Sequence, residues 1–358
     1  MHHRLRDAAV RLRNIVANRC RWLWSWCCLR PRITGKVYAT SETVGDLRLV
    51  GFPHENVWCG ECQLYTDNGG WYDTPRDRHV RTYLHGRHAR VSCAQRSRDG
   101  SDQVVYEGPA PLHWNRHLRI TTGHPDFDAL MAYYHVTRAR DAFSALVGEE
   151  VLGLRDANNR GGPWLTPMHV TVNAGPEVTG RAHWDADDGE IRIRPAYAKD
   201  ALLIYHEYAH AVTDLLTGPS PFPYEDETGS QPEAVAVSEA IADYLACSLK
   251  KHCRMLGGFP HERCLTGDHR YQHTGEAHAD SLALSSSLWE LRGHLKAGKV
   301  DGWVIEMLHR LRLLPAMLRN LTFQDVRALL IDIEQEDPDS GGTRGPLIAA
   351  VFSKHGIS

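Results

Sequence analysis

Two histidines four residues apart constrain this chain more than any other feature of its sequence. They flank a glutamate in the stretch YHEYAHAVTD, as His206, Glu207 and His210. Positions i and i+4 share one face of an α-helix. The surrounding residues are almost all apolar, which predicts a buried helix over 197–217. On that helix both histidines can bind one metal ion, and Glu207 lies where a base for a metal-activated water is needed.

A catalytic zinc ion usually takes three protein ligands and leaves one position for water. The stretch SEAIADYLA, in a second predicted helix over 232–250, supplies Glu239 and, one turn later, Asp243. We expect Glu239 to be the third ligand and Asp243 to accept the spare ring N–H of His206. Two carboxylates inside an apolar helix are costly unless a positive group holds them. The alternative is that the two helices merely present solvated polar faces.

The spacing also excludes one class of zinc enzyme. That class takes its third ligand from the same segment, in the pattern H-E-x-x-H-x-x-G-x-x-H. Here Thr213 occupies the glycine position and Leu216 the last histidine position. The third ligand must therefore come from another element.

The stretches HEYAHAVTD and EAIAD together resemble the paired signature of thermolysin- and fungalysin-type zinc metallopeptidases, the gluzincins. Three further stretches are similar to segments of that family: FDALMAYYHVTRARDAF (127–143), GEAHADSLALSSSLWELR (275–292) and VFSKHGI (351–357). The resemblance covers about 125–358. It implies a zinc-dependent endopeptidase that hydrolyses peptide bonds through a metal-activated water.

The same resemblance implies an α+β fold with two lobes and the zinc ion in the cleft between them. A β-containing upper lobe would bind extended substrate along an edge strand, above a helical lower lobe. Glu207 would act as the catalytic base. His278 would stabilise the tetrahedral intermediate, with Glu276 or Asp280 orienting its ring.

The residues expected to contact substrate are those that differ most from the family pattern. Its edge strand carries an Asn-Ala pair, which here becomes Arg181 and Ala182, unless VNA at 172–174 takes that part. The tyrosine that would assist His278 is Tyr224 by position, with Tyr271 as the alternative. Calcium sites are a family habit, and the acidic stretch YEDET (224–228) is a candidate loop for one.

The chain divides by pattern into three regions. Residues 1–32 form a basic tail with one short apolar run, read as a poor export signal, a basic membrane-surface segment, or a disordered or wrongly assigned start, which we favour. Residues 33–120 show short β-like runs between turn residues and predict a small β-sandwich-like accessory domain. Residues 121–358 are the expected catalytic domain, with further helices predicted at 125–148, 279–296, 302–314, 323–335 and 345–355.

Nine cysteines, an odd number, exclude complete pairing within the chain. The stretch WCGEC contains Cys59 and Cys62 and resembles a thioredoxin motif, but its neighbours read as strand and turn rather than as the start of a helix. A structural pair, or a small zinc knot with Cys93, fits that setting better than redox catalysis. Free thiols are the other alternative.

Composition limits the partners. The net charge of −3 gives no sign of a nucleic-acid partner, and no apolar run is long enough to span a membrane. A protein or peptide substrate remains, while the oligomeric state cannot be read from the sequence. Two rival functions stay open: a catalytically inactive zinc-peptidase-like binding module and a zinc aminopeptidase. The family resemblance favours a secreted or periplasmic location, although the N-terminus is not a clear signal peptide.

Overall fold

The structure is a computed structural model that describes most of residues 121–358 and parts of the N-terminal third. The described residues are 34–40, 45–51, 55–59, 62–65, 81–96, 102–104, 117–118, 122, 126–152, 167–175, 180–218, 222, 225–226, 229–230, 232–256, 262–314 and 321–358. The basic tail at 1–32 lies outside them, so its three interpretations stay predictions.

Eight α-helices occur within the described part of the chain. They are α1 (Asp126–Val147), α2 (Glu149–Leu152), α3 (Ala201–Thr217), α4 (Pro232–Lys250), α5 (Ala277–Leu295), α6 (Ala297–Leu313), α7 (Phe323–Glu336) and α8 (Gly345–Lys354). A 3₁₀ turn at Tyr197–Lys199 precedes α3. The helices predicted from periodicity are all confirmed, with ends that differ by a few residues.

Fifteen short strands occur in the same described residues. In chain order they are β1 (Thr34–Tyr38), β2 (Leu47–Gly51), β3 (Glu55–Cys59), β4 (Cys62–Tyr65), β5 (Arg81–Gly86), β6 (Ala89–Arg96), β7 (Asp102–Val104), β8 (His117–Leu118), β9 (Met168–Val172), β10 (Ala182–Asp185), β11 (Glu190–Ile193), β12 (Glu225–Asp226), β13 (Gly229–Ser230), β14 (Arg254–Met255) and β15 (Arg263–Cys264). The stretch DADDG (185–189) forms the turn between β10 and β11, which pair antiparallel across it.

One sheet crosses the expected domain boundary at residue 120. Its order is β10-β11-β9-β6-β5-β3-β4, with β7 also paired to β6. Strand β6 runs parallel to β9, from Ala89 opposite Met168 to Cys93 opposite Val172. Strands β3 to β7, expected in a separate β domain over 33–120, therefore share a sheet with β9 to β11, whereas β1, β2 and β8 form a three-stranded sheet of their own. The division into domains at residue 120 stays a prediction. The pairing of β6 with β9 joins distant parts of the chain, so residue patterns within short stretches could not predict it.

Helix α1 packs across β5, β6 and β9, and α3 packs between α1, α4 and the edge strand β10. Nearly every side chain of α3 is buried, as its apolar sequence predicted. Asp200 fixes the beginning of α3, because its Oδ1 accepts hydrogen bonds from the backbone N–H groups of Leu202 and Leu203 at 2.8 and 3.3 Å. Helices α5 to α8 complete the helical layer beneath.

The first strand is fastened to this helical layer. The ring of His135 on α1 contacts the carbonyl oxygen of Tyr38 at 2.7 Å, and the N–H of Ala201 donates to the carbonyl of Thr40 at 2.7 Å. Lys250, at the end of α4, donates to the carbonyl of Ala39. Residues 34–40 are therefore held against the helical layer rather than separate from it.

Within the described residues, no helix is both long enough and apolar enough to cross a membrane.

Candidate metal centre

Helix α3 presents His206 and His210 on one face. Their Nε2 atoms lie 3.0 Å apart, and the rings meet edge to face. His206 is almost fully buried, while 16% of the His210 side chain is exposed. Two facing ring nitrogens can share one hydrogen bond, in which one of them carries the proton. When neither carries a proton, both lone pairs can bind the same cation.

Helix α4 brings Glu239 to the same point. Its Oε2 lies 3.1 Å from His206 Nε2, and its Oε1 lies 3.5 Å from His210 Nε2. Two ligand atoms on a tetrahedral zinc ion, each about 2.05 Å from the metal, are about 3.3 Å apart. The three separations in this cluster, 3.0, 3.1 and 3.5 Å, bracket that value.

A further observation fits a metal ion. Glu239 Oε2 is buried, yet it makes no contact with the geometry of a hydrogen bond, although two ring nitrogens lie within 3.3 Å. A buried carboxylate oxygen without such a partner is costly unless a cation satisfies it. Among the described residues, His206, His210 and Glu239 are the only such group of three. The donor set of two imidazoles and a carboxylate suits zinc.

The inner side of the cluster, formed by His206, Asp243 and Arg263, is closed from solvent. Asp243 Oδ1 lies 2.8 Å from His206 Nδ1, where it fixes the ring so that Nε2 faces the cluster. Arg263, from β15, donates to the same Oδ1 at 2.8 Å. Two buried carboxylates require a positive group nearby, but Arg263 could not be predicted as that group, because it lies in a two-residue strand without a recognisable pattern.

Electrostatics on this side reflect close packing of opposite charges. Burial alone would lower the pKa of His206, but the carboxylates of Asp243 and Glu239 raise it to about 10. Burial alone would raise the pKa of Asp243, but Arg263 and His206 lower it. The two histidines likewise hold the pKa of Glu239 well below its ordinary value, against the effect of burial. A dication bound by the three ligands would replace the proton on His206.

The outer side of the cluster, formed by His210, Ser238, Glu276 and His278, is open to solvent. Ser238 Oγ lies 3.3 Å from His210 Nδ1, so a hydroxyl takes the position that a carboxylate holds at His206. Ser238 directly precedes Glu239, but a serine in a helix carries no signal that sequence analysis could use.

His278, at the beginning of α5, reaches the cluster from the outer side. Its Nε2 lies 3.3 Å from Glu239 Oε2, and its Nδ1 lies 3.0 Å from Glu276 Oε1. Of the two carboxylates considered as its orienting partner, the structure brings Glu276 to the ring. Asp280 instead accepts hydrogen bonds from the backbone N–H groups of Thr274 and Gly275.

Glu207 follows His206 on α3 and is 4% exposed. Its position next to a ligand, on a rigid helix, is the one that the motif predicted for a base. The structure brings the predicted His206, His210, Glu239, Asp243 and His278 together, and it adds Arg263 and Ser238. The role of Glu207 as a base stays a prediction.

The edge strand expected to bind substrate is also present. Strand β10 lies at the end of the sheet, and Trp184 Nε1 donates to Asp214 Oδ2 of α3 at 2.8 Å. The N–H of Arg194 donates to the carbonyl of Arg181, so the paired backbone groups of β10 belong to odd-numbered residues. Strand geometry then directs the backbone groups of Ala182 and Trp184 away from β11.

The alternative edge strand at 172–174 is wrong. Strand β9 lies inside the sheet between β6 and β11, and Asn173 donates from Nδ2 to Cys93 Sγ at 3.1 Å. Tyr224 lies outside the described residues, so its role stays a prediction. The hydroxyl of Tyr271 contacts His273 Nδ1 at 2.7 Å rather than the cluster.

The remaining sequence predictions are tested only in part. The acidic side chains at 224–228 lie outside the described residues, so a calcium site there stays a prediction. Cys59 and Cys62 lie opposite each other in the backbone register of the β3–β4 hairpin. This setting differs from the strand-to-helix turn of a redox motif. Their side chains are not described, while Cys93 is buried against Asn173.

A scan of the sequence against models of protein families finds no match, and a search of curated proteins finds no similar sequence. The functional assignment therefore depends on the geometry of this centre and on the motifs that led to it.

Proposed function

We propose that the protein is a zinc-dependent endopeptidase with a thermolysin-like, two-lobed catalytic region. The observation that carries the proposal is the cluster of His206, His210 and Glu239, whose ligand atoms lie within 4.8 Å of one another, with Glu207 on the ligand helix and His278 at the open side. A purely structural cluster would not need a third histidine at its open side.

His206, His210 and Glu239 would hold the zinc ion. Bound there, zinc supplies Lewis acidity toward a water molecule and the scissile carbonyl. Asp243 keeps His206 in the tautomer with a free Nε2 lone pair, and Arg263 keeps Asp243 ionised and in place.

Proton transfer falls to Glu207. Its carboxylate takes a proton from the attacking water and then delivers it to the departing amine, which is general base and then general acid catalysis. His278 stabilises the negative oxygen of the tetrahedral intermediate. Because its Nδ1 faces Glu276, the imidazolium is the form that has an Nε2–H left to donate to that oxygen.

Substrate binding falls to β10. The outward backbone groups of Ala182 and Trp184 can pair with an extended peptide, which is β-strand addition. Arg181, the residue before, would add a cation where the family carries an amide. That departure is the specific reason to keep an inactive peptide-binding relative as the second candidate.

The test is cleavage of an unfolded protein, casein, by the zinc-loaded chain, with Glu207→Gln as the matched variant and zinc content measured on both. We expect about one zinc ion per chain in each, and a loss of cleavage of at least a hundredfold in the variant. Equal zinc content with no cleavage by either protein would favour the binding module. No zinc in the wild type would contradict the metal centre.

Peptides with a blocked or a free N-terminus distinguish an endopeptidase from the remaining rival, an aminopeptidase. An endopeptidase cleaves N-acetylated peptides, whereas an aminopeptidase needs a free amine. Cleavage confined to free N-termini would contradict the endopeptidase proposal. A secreted or periplasmic location remains part of the proposal and is tested by fractionation.

A further inference from the structure

The β14–β15 hairpin carries two thiols that face each other. The Sγ atoms of Cys253 and Cys264 lie 3.9 Å apart, and Thr266 Oγ1 lies 3.0 Å from Cys264 Sγ. Both thiols are free and partly exposed. A disulfide needs an S–S distance of about 2.05 Å, so closing the pair takes rotation of two side chains rather than a rearrangement of the backbone.

The environment distinguishes this pair from the other described cysteines. Cys93 and Cys247 are 3% and 0% exposed, which excludes reagents from their sulfur atoms. Burial alone would raise the pKa of the Cys264 thiol, but hydrogen bonds with Thr266 lower it, while burial raises the pKa of Cys253. Cys264 is therefore the more readily ionised thiol and the better first nucleophile.

We propose that Cys253 and Cys264 form a reversible disulfide by exchange with a small-molecule disulfide such as oxidised glutathione. The Cys264 thiolate attacks one sulfur of the reagent, forms a mixed disulfide and releases one thiolate. The Cys253 thiolate then attacks Cys264 Sγ and releases the second. Two protein thiols are oxidised, one reagent disulfide is reduced to two thiols, and the two thiol protons pass to solvent or to the released thiolates.

The hairpin connects this bond to the inner side of the metal centre. Arg263, next to Cys264, holds Asp243 at 2.8 Å, and Cys253 follows the end of α4, the helix that carries Asp243. The N–H of Leu256 donates to Asp200 Oδ2 at the beginning of α3. A disulfide would tie the strand of Arg263 to the end of α4, so both ends of the Arg263–Asp243 contact would be held together.

The consequence is that oxidation stabilises the zinc-binding form. We expect the oxidised chain to release zinc to a chelator several-fold more slowly than the reduced chain. We also expect its metal-free form to unfold about 3–5 °C higher, because the bond closes a loop of about a dozen residues. The zinc readout rests on the proposed metal centre, whereas formation of the bond does not.

The first experiment maps the bond. The reduced full chain is equilibrated with oxidised glutathione, remaining thiols are alkylated, and trypsin releases residues 252–254 and 264–270 as separate peptides. We expect these peptides to be joined and two hydrogens lighter than their sum. Recovery of both as alkylated peptides, or each as a separate glutathione adduct, overturns the proposal.

Variants make the result specific. In Cys253→Ser we expect Cys264 to stop at the mixed glutathione disulfide, with no change in unfolding temperature or zinc release on oxidation. Cys93→Ala, which removes a buried cysteine elsewhere, should keep the full response. A mapped bond with no effect on zinc release and unfolding overturns the stabilising role. A chain that forms the bond but binds no zinc contradicts the proposed function alone.

Discussion

The inner and outer sides of the candidate metal centre are built differently, although each positions one histidine of the cluster. On the inner side, His206, Asp243 and Arg263 are at most 6% exposed and joined in series. On the outer side, His210 contacts a serine hydroxyl, and the side chains of His278 and Glu276 are 47% and 62% exposed.

This difference separates two tasks. A buried charge has no solvent to replace a lost partner, so each inner contact is required for the next. An exposed group can exchange its partner for water at little cost, which suits the side that must admit substrate and release product. We therefore expect substitutions on the inner side to change stability and zinc affinity, and those on the outer side to change turnover.

The largest expected effect comes from Arg263→Met. It leaves Asp243 as a buried charge without its cation, and we expect the free energy of unfolding of the zinc-loaded protein to fall by about 3–5 kcal/mol in urea titrations. Arg254→Met is the control, because Arg254 lies in the same hairpin with its side chain 56% exposed and paired to Glu262. It should cost under about 1 kcal/mol. Equal losses would remove the distinction between buried and exposed pairs.

The next effect compares the partners of the two histidine ligands. Asp243→Asn keeps the size of the side chain but removes the charge behind His206, and we expect zinc affinity to fall by about 10- to 100-fold. Ser238→Ala removes only a hydroxyl behind His210 and should cost less than about tenfold. Competition with a chromophoric chelator measures both. A larger loss in Ser238→Ala would reverse the assignment of the inner side.

A third effect concerns pH. Burial raises the pKa of Asp200 to about 6, even though three backbone N–H groups donate to it. Its folded pKa lies above the unfolded value of about 3.9, so its contribution to stability is full below about pH 4 and is lost as pH rises through 6. We expect the stability of metal-free wild type relative to Asp200→Asn to fall by about 2 kcal/mol from pH 4 to pH 7. A difference independent of pH would show that Asp200 titrates normally.

The smallest effect is expected at Glu276→Gln. Replacing the carboxylate next to His278 Nδ1 by a neutral amide should lower kcat about tenfold, because the amide holds the ring less firmly in the orientation that stabilises the developing oxyanion. KM and zinc content should stay unchanged, since Glu276 touches neither the metal ligands' donor atoms nor β10 in the described structure. A loss of zinc instead of turnover would place Glu276 with the inner side.

Local periodicity predicted the candidate metal ligands only in pairs. A helix fixes the relation of residues four apart, so His206 with His210 and Glu239 with Asp243 could be placed in pairs from spacing alone. The meeting of the two helices followed only from the family resemblance. That they do meet, with ligand atoms 3.1 Å apart, is a property of packing.

Contacts between distant segments were not predictable in this way. Arg263 reaches Asp243 from a short hairpin, and β6 pairs with β9 across more than seventy residues. Neither contact produces a recognisable sequence pattern. A two-residue strand is too short to show alternation, and parallel strands are not joined by a short turn that the sequence would reveal. The sequence indicated that a positive group must lie near the two carboxylates. It did not indicate which residue supplies that group.

The hydrogen bond between the segment that follows β1 and the end of α4 has a consequence for folding during protein synthesis. Ala39 and Lys250, which contact each other, are 211 residues apart in sequence. At about 5–20 residues per second, a ribosome needs roughly 10–40 s to make the chain between them. During that time β1, whose Val37 and Tyr38 are buried in the finished fold, has left the ribosome before α4 exists. The nascent chain therefore carries an unfinished apolar surface for which chaperone binding, rather than early folding of an N-terminal unit, is the expected protection.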